Sequence, residues 1–174
     1  MWAFSDESER GSTVMFGVAF VPTGAVATAR REMRSLLLPG QRRVHMAKES
    51  PRRRRQLLDA VAALELDARV LLHRRVVGVN RVEARRRLVM AAATIVVDEG
   101  ATTWLLDDQD PAQSTRDRHA IAAALGRDVA LVYDNRPSRD EPLLWVVDVV
   151  VWAVGAGREW SRRIDALVTT RTVP

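Results

Sequence analysis

The sequence predicts an α/β fold: a mixed sheet with an N-terminal antiparallel hairpin and helices on both faces. Three observations predict it. Two strand-like runs, residues 2–7 and 13–21, are joined by a short Gly/Ser turn at 9–12, which favours an antiparallel hairpin. From residue 68 onward strand-like and helix-like segments alternate, which argues for parallel strands joined by crossover helices. Finally, the run from Pro142 to Gly155 is apolar throughout except for Asp148, so it reads as a helix buried on every side. No composition break, low-complexity linker or repeat divides residues 1–174, and a single domain is expected.

The elements follow in order. The first strand ends in the acidic pair Asp6-Glu7, and the second is rich in β-branched and aromatic residues. Residues 24–38 read as a helix stopped by Pro39-Gly40. The segment 42–49, which holds His45 and Lys48, has no clear pattern. Ser50 caps the next helix and Pro51 occupies its first turn; it runs to about residue 64. A strand over 68–77 precedes a long helix, capped by Asn80 and ended by Gly100. A short apolar strand over 102–106 runs into Asp107-Asp108. A helix over 113–125 stops at Gly126, and a last strand over 128–133 leads into a polar loop. The Asp148 helix and a short amphipathic helix over 158–168 close the chain.

Composition narrows the chemistry. The chain has 174 residues, with 47% hydrophobic and 28% charged, the balance of a folded soluble domain. It has no cysteine, which excludes disulfides, iron–sulfur clusters, thiol nucleophiles and cysteine-ligated zinc. Residues 1–7 carry neither a basic region nor a long apolar stretch, so no signal peptide is expected. The Asp148 run is shorter than the roughly 20 residues a membrane span needs. No membrane contact is expected, and a cytoplasmic location fits. Net charge is +5, carried almost wholly by arginine, with Lys48 the single lysine. Arginine suits phosphate, so RNA or DNA is a plausible partner, although Arg- and Ala-rich composition also marks a high-GC coding sequence. A homodimer is equally compatible with the composition.

Asp148 is the most informative residue. A lone carboxylate among apolar neighbours costs several kcal/mol or more unless a proton, an arginine or a metal ion meets it. Trp145, Asp148 and Trp152 share one helical stripe, so the carboxylate should point inward with the two largest anchors. Asp6 at the end of the first strand, and Asp107 or Asp108 at the end of a later one, can converge on the same spot. Carboxylates gathered from separate elements repel unless a cation lies between them. Hard oxygen donors suit Mg²⁺ or Mn²⁺, and such ions suit phosphodiester hydrolysis.

The order of these residues resembles the ribonuclease H-like superfamily. It also resembles, more narrowly, a bacterial family of unknown function assigned that fold. The resemblance rests on Ser5-Asp6-Glu7-Ser8, His45-Met46-Ala47-Lys48 and Val147-Asp148 in its apolar helix; it departs at Val147, where alanine is usual, and at Leu144-Trp145. It implies a metal-dependent nuclease fold without fixing a substrate. In the lead reading of the residues, Asp6, Asp107 (or Asp108) and Asp148 hold Mg²⁺ or Mn²⁺, His45 serves catalysis and Lys48 holds a substrate phosphate.

Each residue also has a plainer reading. Asp6 can cap a turn, and Asp107 and Asp108 a loop; only one of these two can face the site from a regular strand. Asp148 can pair with an arginine, His45 can be a satisfied interior histidine, and Lys48 a solvated side chain. Glu7 should point to the opposite sheet face by strand alternation. His73 and His119 read as structural. The arginine runs 52–55 and 85–87 read as solvated helix faces, and the tryptophans as core rather than base-stacking platforms. No Walker loop, dinucleotide fingerprint or His-Glu-x-x-His motif is present. The lead reading is a metal-dependent nuclease. Its rivals are a catalytically silent nucleic-acid- or protein-binding module, which would set an arginine against Asp148, and a phosphohydrolase of small nucleotides.

Overall fold

The computed structural model describes residues 1–76, 78–108, 110–126 and 129–174. Strands β1 (Trp2–Arg10) and β2 (Thr13–Val21) form the expected antiparallel hairpin around the two-residue link Gly11-Ser12, where Gly11 takes a positive φ of 56°. Helix α1 (Val26–Ser35), one 3-10 turn (Met46–Lys48) and helix α2 (Pro51–Ala62) lead to β3 (Asp67–Arg74). Helix α3 (Arg81–Asp98), β4 (Thr103–Asp107), α4 (Pro111–Leu125), β5 (Val132–Arg136), α5 (Pro142–Ala156), α6 (Arg158–Ser161) and β6 (Val168–Thr172) complete the chain.

The six strands form one mixed sheet in the order β5-β4-β1-β2-β3-β6. β1 is central; it runs parallel to β4 and antiparallel to β2. Strand alternation then divides the molecule. Phe4 and Leu105 face a core built with α5, α1 and α2. Ala3, Trp104 and Leu106 face a second core built with α3 and α4. Both faces of the sheet are therefore covered by helices, as expected. No helix among the described residues is long and apolar enough to cross a membrane.

The sequence reading needs correction in four places. β1 extends to Arg10, so Asp6 is internal to the strand rather than at its end. α1 is shorter than the expected 24–38. The last strand expected at 128–133 is found at Val132–Arg136; residue 128 lies outside the described residues, as does residue 77 of the strand expected at 68–77. Pairing with β4 sets this register, and as an edge strand β5 tolerates the polar Asp134, Asn135 and Arg136. The helix expected over 158–168 stops at Ser161, and the chain continues into the unforeseen β6. The β-branched run Val168-Thr169-Thr170 suits a strand, and β3 offers it a parallel edge.

Candidate functional site

The site begins where β1 and β4 part. Their parallel pairing runs from Trp2↔Thr103 to Ser5↔Leu106. One step further stand Asp6 and Asp107, on the sheet face covered by α5. Asp6 is partly buried, and its carboxylate accepts the Glu7 backbone N–H at 2.7 Å. Burial raises its pKa well above the ordinary 3.8, and repulsion from Asp107 and then Asp148 pushes the same way. The Glu7 N–H bond and the charge of Arg85 oppose the rise. Asp107 is also raised by burial, against the lowering effects of Arg43, Ser138 and Arg85. One of its oxygens, Oδ1, is buried without a hydrogen-bond partner among the described residues.

Asp148 arrives from α5. Eleven of the fifteen residues of this helix are buried, so the expected all-round apolar helix is found. Asp148 itself is less enclosed than expected: its side chain keeps 19% of its exposure. Its Oδ2 accepts the Met46 N–H at 2.7 Å and lies 3.7 Å from His45 Nδ1. No arginine is paired with it among the described residues. Of its stripe-mates, Trp145 is buried and donates to the Ser138 carbonyl, while Trp152 packs beneath arginines.

The approach of α5 depends on a glycine that the sequence reading did not single out. Gly17 of β2 is the cross-strand partner of Asp6. A Cβ on Gly17 would lie 2.5 Å from Val151 Cγ1 and 2.7 Å from Val147 Cγ1, so the missing side chain is the space that the helix fills. Asp148 lies between these two valines in the sequence, and Gly17 thus fixes how near it comes to Asp6. An isolated glycine inside a strand pattern was the available signal.

The remaining candidates separate. Asp108 does not join the set: it is exposed, and its Oδ1 accepts the Ser114 hydroxyl of α4 at 2.9 Å. Lys48 is exposed in the 3-10 turn beside His45. His73 is buried with Nδ1 3.0 Å from the Val173 carbonyl, and His119 is exposed on α4. Glu7 lies on the opposite face, as alternation requires, bound to Arg85 and Arg81. There the expectation of a solvated arginine run fails: Arg85 is buried between Glu7 and Asp117. Similarly, Arg53 is buried and donates to the Leu36 carbonyl, while Arg54 donates to the Met46 carbonyl.

Three carboxylates from three elements supply hard oxygens, and Asp107 Oδ1 is a buried acceptor with spare capacity. Their chemistry fits Mg²⁺ or Mn²⁺. No three His, Asp or Glu side chains among the described residues stand close enough to enclose an ion as they are.

No protein-family model matches the chain, and no curated protein matches it. Among solved structures, the ribonuclease HII of the PCNA:RNase HII complex from Archaeoglobus fulgidus is similar to it, with a TM-score of 0.55 and 15% identity. The match covers 96% of this chain and 75% of that one. The ribonuclease H-like fold follows from this likeness together with the sheet described above. The likeness is one of fold and does not extend to the narrower bacterial family.

Proposed function

We propose that this ribonuclease H-like domain is a metal-dependent nuclease that hydrolyses phosphodiester bonds. The observation that carries the reading is electrostatic. Asp6, Asp107 and Asp148 reach one face from β1, β4 and α5, and burial and mutual repulsion raise the pKa of Asp6. Such an arrangement favours a shared cation and has no evident structural use without one. A charge-neutralising arginine, the signature of the silent module, is absent from Asp148 among the described residues.

In this reading Asp6, Asp107 and Asp148 hold Mg²⁺ or Mn²⁺. A bound divalent ion would lower the pKa of an attacking water and offset the charge gathering on the phosphate. The chain's own groups do the rest. The Met46 N–H holds Asp148 Oδ2, with His45 Nδ1 3.7 Å away. His45, half-buried beside Asp148, would orient a water or give a proton to a departing oxygen. Lys48 would attract a phosphate as a point charge. RNA or DNA is the substrate class.

Thermal melting in Mn²⁺ against chelator is the first test. Binding to the native state should stabilise by about 2.7 kcal/mol at a hundredfold excess over the dissociation constant. Equal midpoints would end the reading. Incubation with RNA, DNA and an RNA–DNA hybrid then tests cleavage. Asp148→Asn should lower it by more than about a hundredfold, beyond the loss usual for groups that only support a metal ligand.

A further inference from the structure

Beside the acidic site lie two arginines with no carboxylate partner among the described residues. Arg10 follows Asp6 along β1 by two alternations, on the same sheet face. Arg54 belongs to α2. Both guanidiniums lie over Trp152, at 5.5 Å for Arg10 and 4.6 Å for Arg54. Trp152 follows Asp148 by about one turn of α5, roughly 6 Å along its axis. A chain of bonds joins the two places. Arg54 Nε donates to the Met46 carbonyl at 2.9 Å, and the Met46 N–H donates to Asp148 at 2.7 Å.

The helix makes room for this pair. A Cβ on Gly155 would stand 3.0 Å from Arg10 Cδ and Nε, so Arg10 lies across α5 where the helix has no side chain. Trp152 is only 9% exposed, and Trp160 meets its ring edge-on with centroids 5.1 Å apart. A base therefore cannot stack on Trp152. What the surface offers is the guanidinium N–H groups of Arg10 and those of Arg54 not given to the Met46 and Ala47 carbonyls, held by the ring beneath them. The arginines of α3 differ: Arg81, Arg85, Arg86 and Arg87 each bind a carboxylate.

We propose that Arg10 and Arg54, laid on Trp152, form a phosphate-binding subsite for a nucleic-acid strand, one helical turn from Asp148. The strand is held by its backbone, independently of base identity. The placement beside a scissile bond rests on the nuclease reading, whereas the binding itself can be measured without cleavage. Arginine suits this task because its fork can give two N–H bonds to one phosphate.

The test is fluorescence anisotropy in chelator with two short labelled DNA strands, one of mixed sequence and one of thymidine alone. Both should bind with affinities that agree within about threefold, since stacking and base readout are absent. The logarithm of affinity should fall linearly with the logarithm of salt concentration. Arg10→Gln should reduce that slope by about 0.7, the value for one lost phosphate contact on a single strand. Arg10→Lys should restore most of the slope, and Arg118→Gln, the same charge change on exposed α4, should leave it unchanged. The proposal is overturned if wild type binds neither strand, if Arg10→Gln keeps the wild-type slope, or if Arg118→Gln lowers it equally. The nuclease reading is judged separately, by the Mn²⁺ melting shift and its loss in Asp148→Asn. A lost slope with no melting shift would leave the phosphate subsite standing and remove the nuclease.

Discussion

Asp6 and Glu7 are neighbours in the chain and face opposite sides of one sheet, and the two sides treat a carboxylate in opposite ways. On the α3/α4 side, Glu7 and Asp117 close on the buried guanidinium of Arg85, with Arg81 adding a second cation to Glu7. Burial pushes the Glu7 carboxyl up, but the charges and hydrogen bonds of Arg85 and Arg81 bring it below its ordinary value. On the α5 side, Asp6 meets Asp107 and Asp148, and its carboxyl is raised. One side is a closed ionic network that serves the fold. The other leaves like charges together, which a stable fold does not need. This contrast is the ground for the proposed cation site.

The largest effect should come from breaking the closed side. Arg85→Met strands the buried Asp117 and leaves Glu7 with Arg81 alone, and should cost about 3–5 kcal/mol, read from urea denaturation. A loss below 1 kcal/mol would show that the two sides do not differ in kind. Gly17→Ala should come next. Its methyl group meets Val147 and Val151, and overpacking of this sort costs about 1–3 kcal/mol. Because it lifts α5 beside Asp6, it should also shrink the Mn²⁺ melting shift, which a purely structural glycine would leave alone.

A smaller effect, of opposite sign, is expected on the open side. In chelator Asp6→Asn should leave the melting midpoint unchanged or raise it, because the variant removes a repelled, desolvated charge. A marked fall would mean that Asp6 is paired after all.

The pH dependence sharpens the contrast further. Asp6 and Asp107 have raised folded pKa values, so their contribution to stability is present below the ordinary carboxylate value of 3.8 and is lost as pH rises through the folded values. Glu7 has a lowered folded pKa, so its contribution is present above the ordinary 4.5 and is lost as pH falls through the folded value. Melting curves in chelator across pH should therefore flatten on the alkaline limb for Asp6→Asn and on the acid limb for Glu7→Gln. The Mn²⁺ shift of wild type should grow with pH as Asp6 and Asp107 lose their protons. A shift independent of pH would separate the metal from these carboxylates.

Much of this layout was legible before any coordinates. Period-2 and helical patterns, with Ser50 and Asn80 as caps, located most elements, and both caps make their side-chain bonds. The burial of α5 followed from its composition, and the opposition of Asp6 and Glu7 from the pleat. What failed did so for identifiable reasons. Arg85 looks like part of a solvated run, since sequence does not reveal that Glu7 of β1 and Asp117 of α4 meet it. The edge strands β5 and β6 carry few buried residues, so their hydrophobic signal is weak and pairing alone defines them.

The amino-acid sequence alone determined the fold class and the kinds of groups available for chemistry: carboxylates, arginines and no thiols. These follow from local periodicity and composition, which each segment carries within itself. Only the tertiary structure decided which charges meet. Asp107 rather than Asp108 faces α5 because the β1–β4 register sets the pleat. Asp148 reaches the same face because Gly17 lets two valines through. Arg10 and Arg54 come together because both rest on Trp152. Such meetings depend on register and helix approach measured in tenths of an ångström, and these are set by contacts between residues far apart in the chain.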